Sequence, residues 1–384
     1  MNRRSLLAAA LVTLAVPTAL RIAAATETTS SIKTRWKVRS SEGFDAIAFL
    51  GPLSGIKLYT DYYGQDAAAF APRLPESVRS DIAKLWSDAT AAGFGLLGPS
   101  LCMLFSNGND ATIDTLLTAL SARQTRIRPT YEASLYWSDQ DWSWFNDAAA
   151  RLAIIFTAMR DAGFASFRAE RVGVGLDARV AEVQRALSGF DVIALQEKLT
   201  GRMFDPVIEI VLLQFSKPHG IKVQGQTFLQ ATDYETATTV RIAAHELLHP
   251  PVPMDGAAAK AALAVIARDR LVSRIVRDHD PRWGYNSLEG LLNEDLVQAL
   301  DQLISEALGV AHNPADRWRA SDDGMHVLAA AFYGLLRQDR WIETGGSIDA
   351  WLADATRRGR FSPGILHPIA GRVLDRPANK LWPL

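Results

Sequence analysis

The 384-residue chain has one cysteine, Cys102, which excludes an internal disulfide. Cys102 stands between Leu101 and Met103, the setting of a small buried hydrophobe rather than of a reactive thiol. An excess of one charge is missing too, since 41 lysines and arginines face 42 aspartates and glutamates. Nothing draws such a chain onto nucleic acid or an anionic surface, and no nucleic-acid partner is expected. Repeats and low-complexity tracts are absent. Nearly half of the residues are hydrophobic, enough for one large core or two moderate ones.

The N-terminus carries a targeting signature. Arg3 and Arg4 precede an apolar run from Leu6 to Leu20, and Ala23-Ala24-Ala25 supplies the small residues that a signal peptidase needs. Residues 1–25 read as a signal peptide. The paired arginines before Ser5, Leu6 and Leu7 suit twin-arginine export as well as ordinary secretion. Pro17 and Arg21 interrupt the run, which falls short of the roughly 20 apolar residues that span a bilayer. Cleavage is therefore expected, with no stable membrane anchor afterwards and a periplasmic or secreted product.

Residues 26–40 read as a polar lead-in, and folded structure is expected from about Phe44. Amphipathic periods over Val78–Ala92, Thr112–Ala122, Trp144–Ala162 and Ala178–Leu187 predict a mainly helical region over 41–200. Between Pro206 and Thr232 the pattern becomes strand-like. Val207–Leu213 and Ile221–Leu229 flank Lys217-Pro218-His219-Gly220, which predicts a hairpin. Helices are expected over Asp233–His249, Gly256–Arg277 and Ser287–Leu308, with shorter ones near Gly324–Leu336 and Ile348–Arg357. The expected class is α+β with helix dominating, and residues 311–384 form a helical C-terminal region.

Chemistry concentrates in His245-Glu246-Leu247-Leu248-His249. Histidines four apart on a helix put both imidazoles on one face, a turn apart, as a single zinc ion needs. Glu246 follows the first histidine, where a carboxylate can take a proton from water at the fourth position of the metal. Thr232-Asp233-Tyr234-Glu235 reads as a capping box at the start of this helix, and Pro250-Pro251 stops it. Two histidines leave a catalytic zinc one protein ligand short. No histidine follows closely, so a downstream glutamate is favoured, with Glu289 and Glu294 as candidates. On a helical wheel Glu294 lies with Gln298, Asp301 and Ser305 on a polar side, and Glu289 falls among Leu296 and Leu300. Pattern alone leaves both open.

His-Glu-Leu-Leu-His-Pro, followed after an intervening helix by Asn293-Glu294-Asp295-Leu296-Val297-Gln298-Ala299, resembles the gluzincins, including a group of bacterial gluzincin-like proteins of unknown function. The resemblance spans about residues 205–310. It implies a zincin-like metal-binding core over 201–310, with a small antiparallel sheet or hairpin beside the active-site helix. It also implies Zn2+ held by His245, His249 and Glu294, Glu246 as general base, and a peptide or protein substrate. Gly290 resembles a glycine that thermolysin-like enzymes carry before their Asn-Glu pair, although the stretch between His249 and Glu294 is longer here.

Asp301, one heptad after Glu294, is a candidate to orient an imidazole, as is Gln298. Tyr285 and Tyr234 are candidates for oxyanion or substrate contact. The aromatic group Tyr131, Tyr136, Trp137, Trp142, Trp144 and Phe145 reads first as core and second as a groove for an extended substrate. His219, His279, His312, His326 and His367 show no ligand spacing, and Arg168, Arg171, Lys217 and Lys222 read as solvated charges. The opposing functional reading is an exported binding protein that keeps the scaffold without catalysis. A broken motif would mark it, and here His245, Glu246 and His249 are all present.

Overall fold

A computed structural model describes residues 32–383 apart from Gly95, Leu135, Gly173, Val174, His219 and Gly284. The expected signal peptide and His219 lie outside the described residues. Four strands form one mixed sheet: β1 (Arg35–Ser40), β2 (Val207–Leu213), β3 (Ile221–Lys222) and β4 (Thr227–Ala231), in the order β1-β2-β4-β3. β1 runs parallel to β2 with Arg35 opposite Val207, and β2 runs parallel to β4 with Glu209 opposite Thr227. β3 alone is antiparallel to its neighbour, with Ile221 opposite Leu229.

Two expectations are corrected by this sheet. The hairpin of Val207–Leu213 with Ile221–Leu229 does not form, because the second segment divides into β3 and β4. β4 then enters in parallel beside β2, while β3 takes the outer edge. Strand-like composition carries no direction, and the connection over 214–226 is long enough to bring the chain back for parallel pairing. Residues 35–40 are strand rather than polar lead-in. Their alternation had a strand's period: Trp36 and Val38 are buried between the polar side chains of Arg35, Lys37 and Arg39. The Trp36 indole N–H donates to the Phe190 carbonyl at 2.9 Å.

β2 reads as a nearly continuous apolar run because both of its faces are covered. Ile208, Ile210 and Leu212 join Trp36, Val38 and Phe228 in a core shared with residues 183–382. Val211, Leu213 and Leu229 join Phe215 and Val223 in a second core shared with the helices over 44–167. The result is a helix–sheet–helix sandwich within one compact unit, Ile32–Leu384. The change of layer comes before the expected division near residue 200, since Val183, Leu187, Val192 and Leu199 already pack on the C-terminal side. Among the described residues no helix is long and apolar enough to cross a membrane.

The expected helices are found with shifted ends. Gly256–Arg277 is two helices, Ala257–Ile266 and Arg270–Asp278, because the Asp269 side chain accepts from the Leu271 N–H and opens a new helix. The helix Leu288–Ala307 is capped by Ser287, whose hydroxyl accepts from the Gly290 N–H at 3.0 Å. It runs through the core and is buried on every side from Glu294 to Ser305. Cys102 is buried as expected, and burial holds its thiol well above the ordinary range.

Candidate metal centre

The motif helix is Thr236–Glu246, shorter than expected at both ends. The capping box does not form: Glu235 is the N-cap and no side chain caps the helix. Arg179 holds the approach instead, donating to the carbonyls of Thr232 at 2.9 Å and Tyr234 at 2.8 Å. At the other end Leu247 closes the helix and His249 follows in the turn. The histidines nevertheless meet, with their Nε2 atoms 3.1 Å apart.

Glu294 completes a triangle. Its carboxylate lies 3.4 Å from His249 Nε2 and 3.6 Å from His245 Nε2, and the three candidate donor atoms fall within 4.8 Å of one another. Ligands about 2.0–2.2 Å from a tetrahedral zinc stand roughly 3.3–3.5 Å apart, so these residues fit such an ion closely. Two imidazoles and one carboxylate are also the donor set that suits zinc. Of the two glutamates that pattern left open, Glu294 is 3% exposed at this point, whereas Glu289 is exposed in the helix's first turn. Among the described residues no lysine or arginine pairs with the Glu294 carboxylate, which faces the two histidines instead.

The surroundings fix each ligand. His245 Nδ1–H donates to Asp301 Oδ2 at 2.6 Å, which turns Nε2 toward His249 and Glu294. Asp301 is itself gripped by both Arg317 guanidinium nitrogens, at 2.5 and 2.9 Å. Burial pushes the Asp301 carboxyl up, but Arg317 and His245 outweigh it and hold the group below its ordinary value. Burial likewise works against a proton on His245, yet Asp301, Glu294 and Glu246 together raise it to about 9. His249, buried and facing His245, is shifted the other way. The charge on one imidazole thus works against an added proton on the other.

Glu294 accepts from Gln298 Nε2 at 2.8 Å, and Gln298 Oε1 accepts from the Trp318 indole at 2.7 Å, which fixes the amide's orientation. The Tyr285 hydroxyl hydrogen-bonds to the same carboxylate, and burial beside Glu294 keeps that hydroxyl protonated. Tyr285 thus reaches the site through the Glu294 carboxylate. Tyr234 does not reach it. That side chain donates to the Pro218 carbonyl at 3.3 Å, ahead of the motif helix and about 16 Å from its histidine end by helical rise.

Glu246 is half-buried beside the histidines, and among the described residues its carboxylate accepts no hydrogen bond. Its carbonyl accepts from Lys222 Nζ at 2.7 Å. Lys222 is therefore no solvated charge, and burial lowers its ammonium despite the pull of Glu246. Arg168 departs from the solvated reading too, pairing with the fully buried Asp45. His326 is a satisfied interior histidine, with Nδ1–H donating to Asp295 at 2.6 Å and Nε2–H to Asp322 at 2.9 Å. Sequence reasoning missed Arg317, Trp318 and Lys222, whose partners are far away in the chain. The signal for Arg317 and Trp318 was weak but present, in two large polar-tipped side chains on one short helix, Pro314–Ala320.

No family model, curated protein or solved structure matches this chain. The site's own geometry must therefore carry the functional reading.

Proposed function

We propose that the protein is an exported zinc-dependent hydrolase that cleaves peptide bonds, with His245, His249 and Glu294 as zinc ligands and Glu246 as general base. The observation that carries this reading is the triangle of two Nε2 atoms and one carboxylate, held by Asp301, Gln298 and Tyr285. Zinc at such a site supplies a Lewis acid that acidifies water and polarises a carbonyl. Glu246, next to a ligand and with a carboxylate that accepts no hydrogen bond among the described residues, is free to take the proton from the attacking water and pass it to the leaving amine. Asp301 keeps His245 in the tautomer that can bind metal, and Arg317 keeps Asp301 ionised. Peptide as the substrate rests on the gluzincin resemblance, because the same groups would serve other amides or esters.

The test is hydrolysis of a fluorogenic peptide library by the zinc-loaded protein and by Glu246→Gln. Glu246→Gln is expected to keep its zinc and to lose roughly 10²–10⁴ in rate, the range for removal of a positioned acid–base group. Equal rates in the two proteins would remove Glu246 from the mechanism.

A further inference from the structure

The sheet edge beside Glu246 has two sides. β3 is the outermost strand, so its free edge can accept an extended peptide by strand addition, and the side chains of that peptide would then alternate between the faces of the sheet. On one face Lys222 reaches the Glu246 carbonyl. On the other Ile221 packs against the core of the N-terminal helices and lines a hollow of about 260 Å³. That volume lies below the roughly 300–1,000 Å³ of sites for whole small molecules and suits one side chain.

The hollow has an unusual lining for its size. Phe94, Met103, Tyr131 and Tyr136 form walls, and Asp141 contributes a carboxylate. The Tyr131 hydroxyl donates to Asp141, and no basic side chain is paired with that carboxylate among the described residues. Asp141 stands in the first turn of the helix Asp139–Asp161; burial raises its carboxyl, while hydrogen bonds from Ser138 and Tyr131 work the other way and no cation contributes. Tyr136 connects the two sides of the edge. It is 43% exposed, lines the hollow, and lies close enough for the Glu246 charge to act on its hydroxyl.

Aromatic walls with an uncompensated carboxylate recognise a cationic side chain, the rings through their faces and the carboxylate through charge-assisted hydrogen bonds. An aliphatic side chain there would desolvate Asp141 with nothing in return, and an acidic one would be repelled. We infer that this hollow is a specificity subsite that binds a lysine or arginine side chain of the peptide substrate, adjacent in sequence to the cleaved bond. The inference rests on the hydrolase reading above.

The test uses zinc-loaded full-length protein and a peptide series differing at one position, Arg, Lys, Leu or Glu, on each side of the bond. The expected result is a kcat/KM at least tenfold higher for Arg and Lys than for Leu on one side, lowest for Glu. Asp141→Asn keeps the helix-start geometry and should bring Arg and Leu peptides to within about twofold of each other. Tyr136→Ala, on an exposed turn, should reduce the same ratio. Cleavage with no basic preference, or a preference that survives both variants, overturns the subsite and leaves the hydrolase reading standing. If no peptide is cleaved the hydrolase reading fails separately. Binding of Nα-acetyl-argininamide, followed by aromatic fluorescence, then decides the hollow: saturable binding abolished by Asp141→Asn supports it as a cation site, and no binding overturns it.

Discussion

The two layers on either side of the sheet bury their charges in different ways. In the N-terminal layer the interior is aromatic and aliphatic. Phe49 alone meets Phe70, Phe164, Phe167 and Phe215 at ring-centroid distances of 4.4–5.8 Å. Its buried carboxylates, Asp45 and Asp110, are each matched by an arginine, Arg168 and Arg39. In the other layer the helix Leu288–Ala307 carries Glu294, Asp295, Gln298, Asp301 and Gln302 into an equally deep core. There Asp301 has its arginine, but Glu294 has only two imidazoles, an amide and a hydroxyl. Buried polar groups cost stability unless they are fully partnered, and on this helix Glu294 is the buried carboxylate that faces two histidines.

This contrast can be broken by substitution, and the largest effect is expected in the apolar layer. Phe49→Ala should destabilise the protein by about 3–5 kcal/mol in urea unfolding, through lost burial and a residual cavity. At a temperature where the variant stays folded, its zinc affinity should equal that of the parent. A large fall in affinity would show that the layers are not separable in this way. Asp301→Asn should instead act on the metal. Competition titration with a chelator is expected to show zinc bound about 10–100-fold more weakly, because the His245 tautomer is no longer enforced, and the loss of the buried partner of Arg317 should lower stability as well.

A smaller effect sharpens the comparison through pH. His326 lies between Asp295 and Asp322; burial opposes its proton, but the two carboxylates prevail and raise it from 6.5 to about 10. The folded state therefore holds a proton that the unfolded state releases above 6.5. That stabilisation is complete below about 6.5 and is lost as pH rises through about 10. Unfolding followed at pH 7 and 9.5 should show stability falling with pH, and His326→Gln should flatten the fall. An unchanged slope in the variant would place the titration elsewhere.

Much of the site was legible because it is local. His245, Glu246 and His249 sit within five residues, so spacing could point to them, whereas Glu294 was separated from Glu289 by the gluzincin resemblance, and Asp301 follows it one heptad later on the same helix. Helix periods were legible for the same reason, as in Ile348–Arg357, whose bounds agree with the structure. The wheel placed Glu294 on a polar side facing either solvent or metal. That ambiguity arose because the helix is buried all round, and solvent exposure no longer sorts its faces. What failed was non-local. The direction of β4, the strand at 35–40 and the Asp301–Arg317 grip each depend on a partner set by tertiary folding. The division of Ile221–Leu229 into β3 and β4 was missed as well, since a two-residue strand makes no period of its own.

The central claim is that Glu294, with His245 and His249, holds zinc. Metal content by mass spectrometry of elements, on the purified wild type, Glu294→Ala and Glu289→Ala, tests it most directly, with circular dichroism to show that all three are folded. Close to one zinc per chain is expected in the wild type and Glu289→Ala, and none retained by Glu294→Ala after dialysis against a mild chelator. A wild type that binds no zinc after reconstitution, or a Glu294→Ala that keeps it while Glu289→Ala does not, would contradict the account.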